Sequence, residues 1–438
     1  MSDLDQVPPF ESAQTHSLAA DGGLPPDPSV TSDNSAASTV QERTDILADI
    51  ADYDQPDESR QNPGDGSLTV HRMLAHNRLA YQSRIVLRLG QMLLACGASS
   101  YRVKHSMAVL ARAVGIEQHH ALVTYTEIVA TAYAHGTFRT ELAEQRSMGV
   151  NADRLDLLSN YVNSVEGTQV TIQEVDQALD KIEHTKPVYG WLPNALASGV
   201  ACAGFAFLNR GGWVECSVVC VAAFFGQFLR REMMGRKMNH FGVWIACGAL
   251  ASTLYVLLVM LAQHYLHVEP IHQAGFISAV LFLVPGFPLV TGIIDLVRQD
   301  YQAAVARLTY VIMLMISAGV SVWVVSLAFS WSVTPLYDYH FSVLALSALR
   351  LLASFVAAYG FAMLFNSPPK VCAAAASIGM VINVGRFLLV EQMGVPVQAA
   401  VGVASLCAGL LAWLISRKTH YSRVTLSVPA VVLSLIHI

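Results

Sequence analysis

The chain has 438 residues, of which 53% are hydrophobic and 13% charged, whereas an ordinary soluble domain carries about 25% charge. A soluble globular protein is excluded as the first reading, and membrane residence takes its place. Residues 1–190 hold 39 of the 59 charged side chains, so a polar part precedes an apolar one. The basic residues are scattered between apolar runs and form no stripe, so they carry no nucleic-acid signal.

Residues 1–70 contain fourteen acidic and two basic side chains among many Ser, Pro and Gly. Such a segment buries too little apolar surface to offset its ordering entropy and is expected to be a disordered acidic tail. It has no apolar h-region, so no signal peptide is read and the N-terminus is expected in the cytoplasm. Over 75–115, apolar residues from Leu79 to Ala111 recur at helical spacing, interrupted by Cys96-Gly97-Ala98-Ser99-Ser100. This predicts a helical hairpin in which Gly97 ends the first helix and a serine caps the second. Residues 121–133 are β-branched and aromatic and favour a strand. Two helices are expected over 151–183, the second opened by a capping box at Thr171 and Glu174. Residues 75–185 thus read as a small cytoplasmic α/β domain.

After Pro187 the apolar runs reach the roughly 20 residues that cross a bilayer. Spans are expected at 191–208, 212–229, 241–264, 273–295, 306–330, 341–365, 371–391 and 396–415, with a ninth from about 424. With the N-terminus inside, the cytoplasmic loops hold ten Lys and Arg and the outer loops one, Arg210, the bias of the positive-inside rule. The seven cysteines lie in apolar or helical runs and read as reduced packing residues.

Span 1 ends in GFAFLN (204–209) and span 6 in GFAMLFN (360–366), 156 residues apart and on spans of opposite direction. Five spans per half would produce that inversion, so a 5+5 inverted-repeat transporter is expected, with modules at 190–330 and 341–438. Ten spans would be needed, so the second module is expected to be incomplete. The closing LSLIHI (433–438) matches a translated transposon end used in sequencing libraries, so the native C-terminus is expected beyond residue 432.

Three stretches resemble the threonine/serine exporter family. LGQMLLACGASSYRV (89–103) is similar to its Gly-Ala-x-Ser-Tyr-Arg segment, VPGFPLVTGIIDLVRQDYQAAVARL (284–308) to its Pro-Gly motif with following Asp and Asp-Tyr, and GFAMLFNSPPK (360–370) to a further family segment. The resemblance covers about 78–432 and implies a cytoplasmic N-terminal domain followed by two five-span modules. Where the family's second module closes with another Pro-Gly, this chain has Ser427-Val428-Pro429-Ala430.

Pro285 and Gly286, with Pro288 beyond, sit near the middle of span 4. Proline removes a donor and clashes with the preceding turn, and broken backbone at bilayer depth is tolerated only against protein or a water-filled cavity. Half-helix ends there could meet a zwitterionic substrate; the alternative is a structural kink. Asp295 and Asp300 follow at the cytoplasmic end of span 4, as candidates for proton coupling or, for Asp295, substrate binding, against interfacial charges pairing with Arg298. Arg386 and Arg350 could hold a carboxylate, against snorkelling or a structural ion pair. Asn194 and Asn383 read first as interhelical hydrogen-bonding groups, with Asn383 also a substrate candidate, and Glu215 as interfacial. His119, His120 and His135 complete no metal site, and Ser99 or Ser100 reads as a helix cap, not a nucleophile.

Nine spans with a mid-membrane break suit a pathway better than a tether for the 75–185 domain. The expected function is a secondary transporter exporting small polar amino acids, threonine and serine by resemblance, coupled to the proton gradient and not an enzyme. The alternatives are a dicarboxylate exporter, because a split relative of the family is associated with dicarboxylate export, and a membrane-tethered enzyme or sensor. The expected partners are the substrate, protons and the bilayer, with a homo-oligomer left open. No Walker-type phosphate loop is present, so no nucleotide cofactor is expected.

Overall fold

The computed structural model describes residues 65–435 apart from 146–147, 267–273, 332–341 and 420. Most of the acidic tail and the last three residues lie outside these. From residue 63 onward the chain forms one compact unit.

Helix α1 (Asp65–Ala95) begins within the stretch read as tail, just after Pro63 and Gly64. Gly97, at φ +88°, turns the chain into α2 (Ser100–Ala113), a left-handed conformation that favours glycine. Strands β1 (Gln118–Val123), β2 (Glu127–Ala134) and β3 (Thr137–Glu144) form an antiparallel sheet in that order. The single strand expected over 121–133 is therefore parts of two. Thr124 Oγ1 accepts the Glu127 N–H at 3.0 Å and closes the turn between them, a local side-chain bond that competes with continued extension. Helix α3 (Ala152–Val165) is capped by Asn151, and α4 (Ile172–Glu183) carries the full capping box of Thr171 and Glu174.

The apolar helices follow. They are α5 (Trp191–Leu208), α6 (Trp213–Gly235) and α7 (His240–Leu266). Next come a short α8 (Ala274–Ser278), a 3₁₀ turn at Leu281–Leu283 and α9 (Gly286–Val297). Helices α10 (Tyr301–Ala328), α11 (Val343–Leu364), α12 (Pro369–Glu391), α13 (Val397–Lys418) and α14 (Arg423–Leu435) complete the described chain. Among the described residues seven helices are long and apolar enough to cross a membrane, and an eighth crossing is the pair 275–283 and 286–297, bent by 63°. This is a multi-span helical membrane protein whose fourth span breaks at Pro285. Helix α14 has 13 residues and Pro429 within it.

The two stretches of apolar helix meet where α5 crosses α11. A Cβ on Gly204 would sit 3.0 Å from the Ala353 carbonyl and 3.3 Å from Ala357 Cβ, and one on Gly360 would sit 2.7 Å from both the Ala197 carbonyl and Ala201 Cβ. The two sets correspond at an offset of 156, Gly204 with Gly360, Ala197 with Ala353 and Ala201 with Ala357, so the crossing is reciprocal and the helices run antiparallel. Phe205 and Phe361, also 156 apart, meet edge to face at 5.3 Å. The same offset relates the ends of α5 and α11 and both ends of α6 and α12. Small residues allow backbones to approach this closely where no hydrophobic effect drives helices together.

The N-terminal domain is seated on one end of this bundle. Its core of Leu89, Leu93, Leu110 and Leu158 is continuous with Phe287 of α9 and Val428 of α14. The Ala152 and Asp153 N–H groups donate to the carbonyls of Phe365 and Asn366 at 2.9 and 3.3 Å. Asp156 accepts from Ser422 N at 3.3 Å and Thr425 Oγ1 at 3.1 Å, and burial pushes its carboxyl up to about 6. None of the seven cysteines is paired.

Overpacking at the crossing tests it. Gly360→Val is expected to lower stability by about 1–3 kcal/mol, read as the melting temperature of detergent-purified protein. Gly319→Ala on α10, where a Cβ meets nothing within 4 Å, is expected to have a far smaller effect.

Candidate functional site

Asp295 and Arg307 are 0% and 1% exposed as side chains and face one another at 3.4 Å across the α9–α10 turn. Their Oδ2 and Nε meet as charges without hydrogen-bond geometry. Apart from Thr291 of α9, the groups that complete the pair come from the N-terminal domain. Ser100 donates its N–H to Asp295 Oδ1 at 2.8 Å and its hydroxyl lies 3.2 Å from the same oxygen and 2.7 Å from Asp300 Oδ2. Arg307 donates to the carbonyls of Gly97 and Ala98 at 3.3 and 2.9 Å and to Thr291 Oγ1 at 2.8 Å. Lys104 pairs with Asp300. The glycine turn 97–100 thus caps the break-side half of span 4.

These contacts revise several expectations. Asp295 is not an interfacial charge paired with Arg298; Arg298 lies over the Tyr101 ring at 4.5 Å, and the nearest cation to Asp295 is nine residues further on. Ser99 holds the N-cap position of α2 without a side-chain capping bond, and Ser100 spends its hydroxyl on the two carboxylates. Glu215, in the first turn of α6, is buried within the protein. Asn194 accepts from Gln227 at 2.8 Å, the interhelical bond expected of it.

Beside the ion pair a cavity of about 130 Å³ opens at the break, lined by Pro285, Pro288, Arg230, Arg307, His240 and Tyr310 among others. A single water needs at least about 10–15 Å³ of such space, so the cavity is well above that threshold. Phe361, Leu364 and Phe365 of α11 and Gly97 and Tyr125 of the N-terminal domain close it, so it draws on three parts of the chain. The broken backbone is satisfied from the cavity side: Arg230 donates to the Phe282 carbonyl at 3.0 Å and Trp244 Nε1 to the Leu283 carbonyl at 2.7 Å. His240 Nδ1 and Tyr310 Oη meet at 2.5 Å, the Tyr310 ring packs tilted against Tyr125 at 5.2 Å, and the Arg307 guanidinium stands 5.3 Å from the Tyr125 ring. Two guanidiniums and an imidazole face the space, and no carboxylate is among the described lining residues. The charged side chains of the lining are therefore all basic, and one of them, Arg307, is opposed from behind by Asp295.

Of the residues singled out from the sequence, Pro285 lines the cavity, Gly286 begins α9 next to it, and Asp295 and Asp300 stand behind Arg307. Arg386 and Asn383 are elsewhere, near the end of the bundle remote from the N-terminal domain, where Arg386 Nε donates to Asn383 Oδ1 at 3.1 Å and Asn383 Nδ2 to Ser354 Oγ at 2.7 Å. Arg350 holds Glu391 through both oxygens at 2.7 and 2.8 Å. Sequence reasoning missed Arg230, His240, Tyr125 and Tyr310. Arg230 was counted as a loop charge because span 2 was ended at residue 229; its three-residue spacing from Gln227 on one helical face was the available signal.

Breaking the buried pair from one side tests its weight. Arg307→Met is expected to lower stability by about 3–5 kcal/mol, since it leaves Asp295 buried and uncompensated. Adding Asp295→Asn to it is expected to restore a substantial part, read from the melting temperature of each purified variant.

The model described as "Putative threonine/serine exporter" matches residues 84–329, and one described as "Threonine/Serine exporter, ThrE" matches 350–435. The "Probable succinate transporter subunit YjjP" of Escherichia coli is 25% identical over 55% of this chain and 91% of its own length. The "Threonine/serine exporter" of Corynebacterium glutamicum is 22% identical over 83% of this chain and 75% of its own. No solved structure matches. The first match alone spans more than half of the chain and includes the glycine turn, the Pro285 break, Asp295 and Arg307. The chain belongs to the threonine/serine exporter family.

Proposed function

We propose that the protein is a secondary transporter that exports threonine and serine across the bacterial cytoplasmic membrane, with substrate held in the cavity at the Pro285 break. The observation that carries this reading is the cavity itself. It lies where a span is interrupted, draws lining from both stretches of apolar helix, and faces guanidiniums toward the space a substrate carboxylate would take. The reciprocal crossing of α5 and α11 supports a 5+5 inverted-repeat layout, in which two halves rock about a fixed site. With Arg230 and Arg307 set aside as cavity residues, eight basic residues still lie in or beside one set of connections against Arg210 in the other, which supports an N-terminus in the cytoplasm and puts the N-terminal domain and the cavity on the inner side.

Coupling to the proton gradient is assigned to Asp295. A proton on that carboxylate removes the charge that opposes Arg307, and with it part of the hold on Gly97 to Ser100. The capping turn and the guanidinium are then released together, opening the cavity toward the N-terminal domain. Asp300, paired with Lys104 at the protein edge, serves as the relay to water.

A second reading is favoured by the same lining, because two guanidiniums with no carboxylate suit a dianion as well as a zwitterion. A four-carbon dicarboxylate is the substrate it names, and the two are separated by loading cells with labelled threonine, from a threonine peptide, or with labelled succinate. Threonine efflux that depends on the protein supports the first reading; succinate efflux alone supports the second.

In that assay Pro285→Ala with Gly286→Leu is expected to keep normal membrane abundance, since proline in a helix costs about 3 kcal/mol relative to alanine, and to lower efflux by about tenfold or more. Normal efflux would reject the cavity as the site. Asp295→Asn is expected to lose efflux driven by the proton gradient and to retain threonine exchange; equal loss of both would remove Asp295 from coupling.

A further inference from the structure

Arg230 and Arg386 are 156 residues apart, the offset that relates the α5–α11 crossing, and both fall at the eighteenth residue of a 23-residue helix. Three residues before each stands an amide, Gln227 and Asn383, whose oxygen accepts from the arginine at 3.4 and 3.1 Å. Each amide nitrogen in turn donates to the preceding helix of its own half, to Asn194 on α5 and to Ser354 on α11. The aromatic contacts differ, since Arg230 lies over Trp244 of the next helix at 4.5 Å and Arg386 over its neighbour Phe387 at 4.3 Å, a ring that Arg350 shares, but the hydrogen bonds correspond one for one. The arrangement is therefore repeated, not merely the residue type.

The two copies face opposite ends of the bundle. Antiparallel crossing of α5 and α11 turns α6 and α12 opposite ways, which leaves Arg230 beside the N-terminal domain and Arg386 beside Arg350, near the start of α11. There the charges do not cancel: two guanidiniums, Arg350 and Arg386, meet one carboxylate, Glu391, and both oxygens of that carboxylate are taken by Arg350. Arg386 is 4% exposed and its Nη2 has no hydrogen-bond partner among the described residues. A buried guanidinium with an unused donor is costly unless an anion completes it.

We infer that Arg386, oriented by Asn383, is a second carboxylate-binding station, the two-fold counterpart of Arg230 and Gln227, serving the end of the pathway opposite the N-terminal domain. The inference rests on the exporter reading for its role in transport. Substrate leaving the inner cavity exchanges one arginine for its counterpart, so each face of the membrane is served by its own half of the protein.

Right-side-out and inside-out vesicles from cells producing the whole chain present the two faces separately, and threonine exchange gives a half-saturation concentration for each. Arg386→Gln is expected to raise the outward value by about tenfold or more, the worth of a charge-assisted pair, and to leave the inward value within about twofold. Arg230→Gln is expected to do the reverse. Arg386→Lys, which keeps the charge without the fork, is expected to shift the outward value less, and is the variant read if the Gln protein is absent from the membrane. An Arg386 variant that shifts neither face, or one that shifts the same face as the Arg230 variant, would overturn the station. Wild-type vesicles that exchange neither threonine nor succinate would reject the exporter reading instead. Binding of the two labelled compounds to purified protein then judges the station alone: loss with Arg386→Gln upholds it, and no binding or unchanged binding rejects it.

Discussion

The buried pair of Asp295 and Arg307 joins three stretches of chain that are remote in sequence: the inner half of the broken span, the helix after it and the glycine turn of the N-terminal domain. Neither charge can be left alone at that depth, because a single uncompensated ion there costs about 3–5 kcal/mol. Arg307 is satisfied only when the carbonyls of Gly97 and Ala98 are in place, and Asp295 only when the N–H and hydroxyl of Ser100 reach it. Docking of the domain thus supplies hydrogen bonds that both buried groups need. The left-handed Gly97 makes it feasible, since the chain must reverse within four residues while presenting two carbonyls and one N–H toward the bundle.

The broken span depends on the same economy of polar groups. Interrupting a helix within hydrocarbon frees carbonyls that must be satisfied inside the protein, and Arg230 and Trp244 take those of Phe282 and Leu283. Both donors line the cavity. The groups that make the break tolerable are consequently the groups that any bound molecule meets, and a cavity at a proline break becomes polar on one side without an added binding motif.

Elements whose signal is local could be read from the chain. The apolar spans, the break at Pro285, the capping box of α4 and the helical hairpin follow from run length, proline chemistry and side-chain to backbone bonds within four residues. The sheet was read less well, because β3 exposes Phe138 and Leu142 while half-burying Arg139 and Glu141, the reverse of an apolar-in, polar-out alternation, and Thr124 splits a continuous β-branched run by a turn its composition does not announce. The repeat was visible as two copies of a Gly-Phe-Ala segment, but the reason for it was not: those glycines face the alanines of the other copy, a relation between residues about 150 positions apart.

What the sequence determined by itself is therefore the solvent of each segment, since the count and spacing of apolar residues decide which stretches water or lipid can accept. It also determined that span 4 could not be continuous, because proline lacks the donor a helix needs. Which charges meet was decided only by tertiary structure. Asp295 had Arg298 three residues away and Arg307 twelve, and packing chose the distant one, because the near side chain points to Tyr101 while the far one is enclosed with the carboxylate between α9, α10 and the turn at Gly97. Arg230 looked like a loop charge for the same reason. Its place at the end of a span is local information, but the space it faces is built by helices that come together only when the chain has folded.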